Sequence, residues 1–172
     1  MIKIQESGLT FGPFIDDDLL YIEKHPPQRL KQQVKLCEFV WWNTAKQQLV
    51  AVEAKSSVPD ATNDPDAYAA FWRDINEKFD NAFQMITLAA HDRPQHTTST
   101  LPASFQTLPW PTMSIVMYVV IPKAPDKFLA MLTDKLRAEM SVKQRLWELL
   151  SNLVYDHQAA FLSDWSSTCM PS

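Results

Sequence analysis

Glycine is nearly missing from this 172-residue chain, which holds only Gly8 and Gly12. Average usage of about 7% would give roughly twelve. Neither glycine has the neighbours of a Walker loop or a dinucleotide fingerprint, so phosphate cradles built on glycine turns are excluded. Cysteine is as sparse. Cys37 and Cys169 cannot make a disulfide framework or a four-thiolate zinc site, and the reducing cytoplasm is the expected compartment. Long apolar runs are absent too. The first residues, Met1-Ile-Lys-Ile-Gln-Glu, carry no secretory signal, and the best run, Ile115 to Ile121, is strand-sized rather than membrane-spanning. Positive charge is in deficit: 16 Lys and Arg stand against 20 Asp and Glu, for a formal net charge of −4. Bulk electrostatic binding to nucleic acid is therefore disfavoured, and contact with a polyanion needs a local patch, a metal ion or a partner subunit.

What is present suits one globular domain over residues 1–172, with 46% hydrophobic and 21% charged residues. Ile2 to Gln5 alternates like a short strand. Asp16-Asp17-Asp18 ahead of Leu19, Leu20, Tyr21 and Ile22 predicts a short helix carrying Glu23 and stopped by Pro26-Pro27. Val34 to Trp42 and Leu49 to Lys55, rich in β-branched and aromatic residues, predict a β-hairpin. Asn63 to Asp66 opens a long helix reaching about His91, with Tyr68, Trp72, Ile75, Phe79, Phe83 and Ile86 on one stripe. Arg93 to Pro111 reads as loop. Met113 to Ile121 is apolar on both faces, as a buried central strand requires. A helix from Pro125 to Met140 and another from Ser141 to Leu150 complete the order, with no assignment after Asp156. The fold class is α/β, a mixed sheet covered by helices.

The chemistry lies at the end of the hairpin. In residues 50 to 55, Val50, Val52 and Ala54 share one side of a strand, and Glu53 and Lys55 the other. Folding the hairpin about Ala45 and Lys46 pairs residues that sum to 91, which sets Glu38 across from Glu53. Carboxylates about 5 Å apart in partly buried surroundings repel by a few kcal/mol. A retained proton, Lys55 or a divalent cation must offset this. Two carboxylates and a backbone carbonyl suit Mg²⁺, beside which a lysine can orient water for attack on phosphorus. The same residues also suit a solvated edge or a cross-strand ion pair.

Glu38 in VKLCEFVWW, then Glu53-Ala54-Lys55 in LVAVEAKSS and a long helix with Phe71-Trp72 and Glu77-Lys78-Phe79, resembles the PD-(D/E)XK nuclease superfamily over roughly residues 16 to 121. That resemblance implies a restriction-endonuclease-like α-β-β-β-α-β core followed by C-terminal helices. It also implies Mg²⁺ or Mn²⁺ held by Glu38, Glu53 and the Ala54 carbonyl, with Glu38, Glu53 and Lys55 as the catalytic set. Glu23 matches the acid that members place on the helix before the hairpin, and Lys78 a basic position near the scissile phosphate. Two departures are plain: Glu38 stands where Asp is usual, and no Pro-Asp precedes the hairpin. The function implied is DNA backbone hydrolysis, with RNA left open, by an endonuclease subunit in bacterial or phage defence. The acidic balance adds a partner subunit or homodimer that completes the cleft. The alternative is a catalytically inactive nuclease-fold module of a larger complex.

Other residues give less. His25, His91, His96 and His157 are too scattered for a zinc set. Cys37 reads as a small core hydrophobe, and Ser56-Ser57 lack the glycines of a nucleophile elbow. Asp16 to Asp18 lack calcium-loop spacing and read as helix capping. Trp41 and Trp42 point to opposite faces, one to the core and the other to core, partner or base stacking.

Overall fold

A computed structural model describes residues 1–24, 34–90, 101–122, 126–147 and 149–155. The chain begins with an antiparallel hairpin of β1 (Ile2–Glu6) and β2 (Leu9–Phe14). Its turn places Ser7 and Gly8 at positive φ, and glycine fits the second position without a Cβ penalty. Asp16–Asp18 forms a 3-10 turn, Leu19–Leu20 the two-residue strand β3, and Ile22–Lys24 a second 3-10 turn. The helix predicted here is absent. Leu19 packs on one side of the sheet and Leu20 on the other. That alternation belongs to an extended chain. No side chain caps the Asp16–Asp18 turn.

β4 (Phe39–Asn43) and β5 (Gln48–Ala54) form the predicted hairpin, and their pairs sum to 91 as expected, from Phe39↔Val52 to Asn43↔Gln48. The first strand is shorter than predicted. Val34 to Cys37 lies outside the ladder, and the chain bends at Glu38. α1 (Pro65–Ala90) matches the predicted long helix. Asp64 caps it by accepting from the Ala67 amide at 2.9 Å, with proline at the first helical position where no donor is needed. The expected loop before residue 111 contains a short helical turn, α2 (Ala103–Gln106). β6 (Ser114–Val120) is the buried strand foreseen. Two C-terminal helices were expected, but one helix, α3 (Asp126–Trp147), runs through Ser141. No glycine or proline interrupts it, so the capping-type residues stay inside. Leu149–Tyr155 then forms β7, where a helix was predicted as far as Leu150. Pairing with β6 satisfies an edge that would otherwise be open.

The five-stranded sheet runs β3-β4-β5-β6-β7, with β3, β4 and β5 antiparallel in sequence and β5, β6 and β7 parallel. It is a mixed sheet in an α/β protein. α1 and α3 cover one face, where Trp42, Leu49, Ala51, Met117 and Val119 meet Trp72, Ile75, Phe79, Leu132 and Leu136. The β1–β2 hairpin covers the other, where Phe11 and Phe14 meet Phe39, Trp41, Val50 and Val52. Each large apolar side chain fully buried here contributes about 2 kcal/mol. Trp41 and Trp42 do part to opposite faces, and both are buried. Among the described residues no helix is long and apolar enough to cross a membrane. The four histidines, Pro26-Pro27, Cys169 and the tail after Asp156 lie outside the described residues.

Candidate functional site

Alternation in β5 sends Leu49 and Ala51 to the helical face and Val50, Val52 and Ala54 to the hairpin face. Glu53 follows the first series and meets α1. It is 0% exposed. Its Oε1 accepts from Lys78 Nζ at 2.7 Å and lies 3.0 Å from Lys55 Nζ. Lys55 Nζ also donates to Asp74 Oδ2 at 3.2 Å, and Lys35 bridges Asp74 at 2.9 Å and Glu77 at 3.1 Å. Asp74 and Lys78, four apart on α1, share one helix face, which aims them at the strand end together. Burial pushes the Glu53 carboxyl up, against the pull of Lys78 and Lys55. Burial alone would lower Lys78, but Glu53 overrides it and the ammonium is raised. Burial likewise works against ionised Asp74, and hydrogen bonds from Lys35 and Lys55 hold it below the usual range.

Glu38 lies one residue before β4, and the paired register stops at Phe39↔Val52, so the ladder does not form the direct Glu38–Glu53 opposition expected from the sequence. Its amide donates to the Val52 carbonyl at 3.0 Å, one residue off the ladder, which ties the bend to β5. Its side chain turns to a different company. Carboxylate oxygens of Glu38, Glu6 and Glu23 all lie within 4.8 Å of one another. Glu6 ends β1 and accepts from the Tyr21 hydroxyl; Glu23 sits in the Ile22–Lys24 turn. Burial, a hydrogen bond with Glu23 and the charges of Glu53, Glu23 and Glu6 push the Glu38 carboxyl up to about 8. Burial and the bond to Glu6 also raise the Tyr21 hydroxyl.

Each of the two strand-end acids keeps one buried oxygen, Glu38 Oε2 and Glu53 Oε2, without a hydrogen-bond partner. A buried carboxylate oxygen left unpaired is costly, and these two are where a hard cation would make up the deficit.

The five side chains singled out in the sequence fall into two linked sets. Lys55 and Lys78 converge on Glu53, while Glu23 joins Glu38. Glu38 also feels the Glu53 charge, which links the sets. Ala54 places its side chain among the hairpin-side apolar residues. Cys37 is buried and its thiol faces the Phe39 carbonyl at 3.7 Å, as a core residue. Sequence reasoning missed Glu6, Tyr21, Lys35 and Asp74. Asp74 had a signal, its four-residue spacing from Lys78; Glu6 had none, because only the packing of β1–β2 on the sheet brings it near Glu38. No family model, curated protein or solved structure matches this chain.

Proposed function

We propose that the chain is a Mg²⁺-dependent phosphodiesterase that hydrolyses the DNA backbone, with the restriction-endonuclease-like core of the PD-(D/E)XK superfamily. The observation that carries this reading is the buried, unpartnered oxygen on Glu53, whose other oxygen meets the Lys55 ammonium, with a second such oxygen on Glu38, which feels the Glu53 charge. The donor set fits a hard divalent ion: Glu38, Glu53 and the Ala54 carbonyl would hold Mg²⁺ or Mn²⁺. Such an ion, when bound, neutralises charge on the phosphate and acidifies water. The protein's own groups do the rest. Glu53 and Asp74 hold Lys55 from two sides, so its ammonium is positioned to donate to a phosphate oxygen or to orient the attacking water. Lys78 offsets the Glu53 charge and opposes the upward push of burial on that carboxyl. The formal charge of −4 disfavours DNA approach to an isolated chain, so a partner subunit or a second copy supplies the basic side of the cleft. Work in bacterial or phage defence follows from the family resemblance.

Plasmid cleavage tests the proposal, with wild type beside Glu53→Ala and Lys55→Ala, in Mg²⁺ and in chelator. Each substitution is expected to lower the rate by about 100-fold or more, as loss of one preorganised charge does elsewhere. Cutting that persists in both variants would sink the assignment. A second reading, an inactive nuclease-fold module, is favoured by one observation: Lys55 and Lys78 both engage Glu53 Oε1, so the acid is already neutralised by the chain itself. Wild type that neither cuts nor binds Mg²⁺ supports that module.

A further inference from the structure

The Glu6–Glu23–Glu38 cluster differs from the Glu53 network in having, among the described residues, no ion-pair partner. Among the described residues, no lysine or arginine pairs with any of the three carboxylates, whereas Glu53 has two ammonium partners. Three acids from three separate segments therefore converge, with a hydrogen bond joining Glu38 and Glu23. A second observation points to a ligand. Glu38, only 7% exposed, reaches the cluster and has a buried Oε2 that no protein group satisfies.

We propose that Glu6, Glu23 and Glu38 form a site for a hard divalent cation, with Glu6 of the N-terminal hairpin as a ligand. Oxygens bound to one such ion at about 2.0 to 2.6 Å lie at most about 5 Å apart, and the cluster meets that limit. Glu23 is exposed and leaves the outer side open to water, which Mg²⁺ and Mn²⁺ retain as ligands. The Tyr21 hydroxyl donates to Glu6 and fixes the carboxylate from behind, as outer partners of metal ligands do. Glu38 thus stands between two sets of donors, Glu53 on one side and Glu6 with Glu23 on the other. The site does not depend on the nuclease reading, since it adds two ligands that reading lacks and asks only for binding.

The test is a Mn²⁺ titration of the full chain near neutral pH, followed by electron paramagnetic resonance. Wild type, Glu6→Gln, Glu23→Gln and the surface control Asp66→Asn are compared. Binding in wild type, weakened about tenfold or more in Glu6→Gln and in Glu23→Gln but unchanged in Asp66→Asn, is the expected result. Glu23 is exposed, so its variant keeps the test decisive even where Glu6→Gln folds poorly. Wild type that holds no Mn²⁺ at millimolar concentration overturns the site, as does equal affinity in wild type and Glu23→Gln. Equal affinity in wild type and Glu23→Gln overturns this site alone and leaves the plasmid result standing. Absence of any Mn²⁺ binding defeats both readings, and a chain that binds Mn²⁺ through Glu6 and Glu23 without cutting defeats only the nuclease.

Discussion

At the end of β5 a buried carboxylate is met by two ammonium groups, while just before β4 a buried carboxylate is met by two more carboxylates. One acid lies in β5 and the other at the bend just before its partner strand β4, yet their charges are handled in opposite ways. Around Glu53 the protein supplies its own counter-charge from α1 and from two residues further along the chain. Around Glu38 it supplies more negative charge, and neutrality has to come from a proton or a cation. In the first region the two lysines oppose the upward push of burial on the acid. The second changes state with its surroundings.

The largest effect expected from breaking this comparison comes from Lys78→Met. Removing one partner of a buried pair leaves Glu53 with Lys55 alone, and urea unfolding should show a loss of about 3 kcal/mol. A loss below about 0.5 kcal/mol, the level of a surface pair, would mean that Glu53 is not held by charge at all.

Glu38 gives a smaller, pH-dependent effect of opposite logic. Its carboxyl is raised to about 8, so the folded chain keeps a proton that the unfolded chain has released. The folded state binds more protons, and stability falls as pH rises from the ordinary carboxylate range towards about 8, then levels off. Metal-free thermal or urea unfolding of wild type should lose roughly 2 kcal/mol between about pH 6 and pH 8 relative to Glu38→Gln. Parallel curves for the two proteins would remove the distinction drawn between the strand ends. The smallest effect belongs to Lys35→Ala. Lys35 is 53% exposed, and loss of its bridges to Asp74 and Glu77 should leave the unfolding midpoint close to that of wild type in the same assay.

The register of the central hairpin was legible because β-branched and aromatic residues flank one polar turn, and that symmetry alone aligns Phe39 with Val52. From the strand pattern followed the closeness of Glu53 and Lys55, but not the place of Glu38, whose amide bonds Val52 one residue off the ladder. The long helix was legible for the same reason, a single apolar stripe opened by Asp64-Pro65. Around Leu19 and Leu20 local signals misled. Acids before apolar residues look like a helix start, but two adjacent leucines wanted by opposite faces of a sheet can be satisfied only by an extended chain. At the C-terminal end, Ser141 resembled a cap, yet a cap needs a break before it and none is present. Glu6 was invisible in principle, since 32 positions separate it from Glu38 and the contact depends on how a small hairpin seats against a face of the sheet.

The Lys55 amide donates to the Val120 carbonyl at 2.9 Å, one step past the last residue of β5. Main-chain pairing therefore extends through the residue that bears the ammonium, and the exposed serines that follow lie beyond it. A molecule arriving at this edge meets a charge whose main chain is tied to the neighbouring strand, so the charge holds its place.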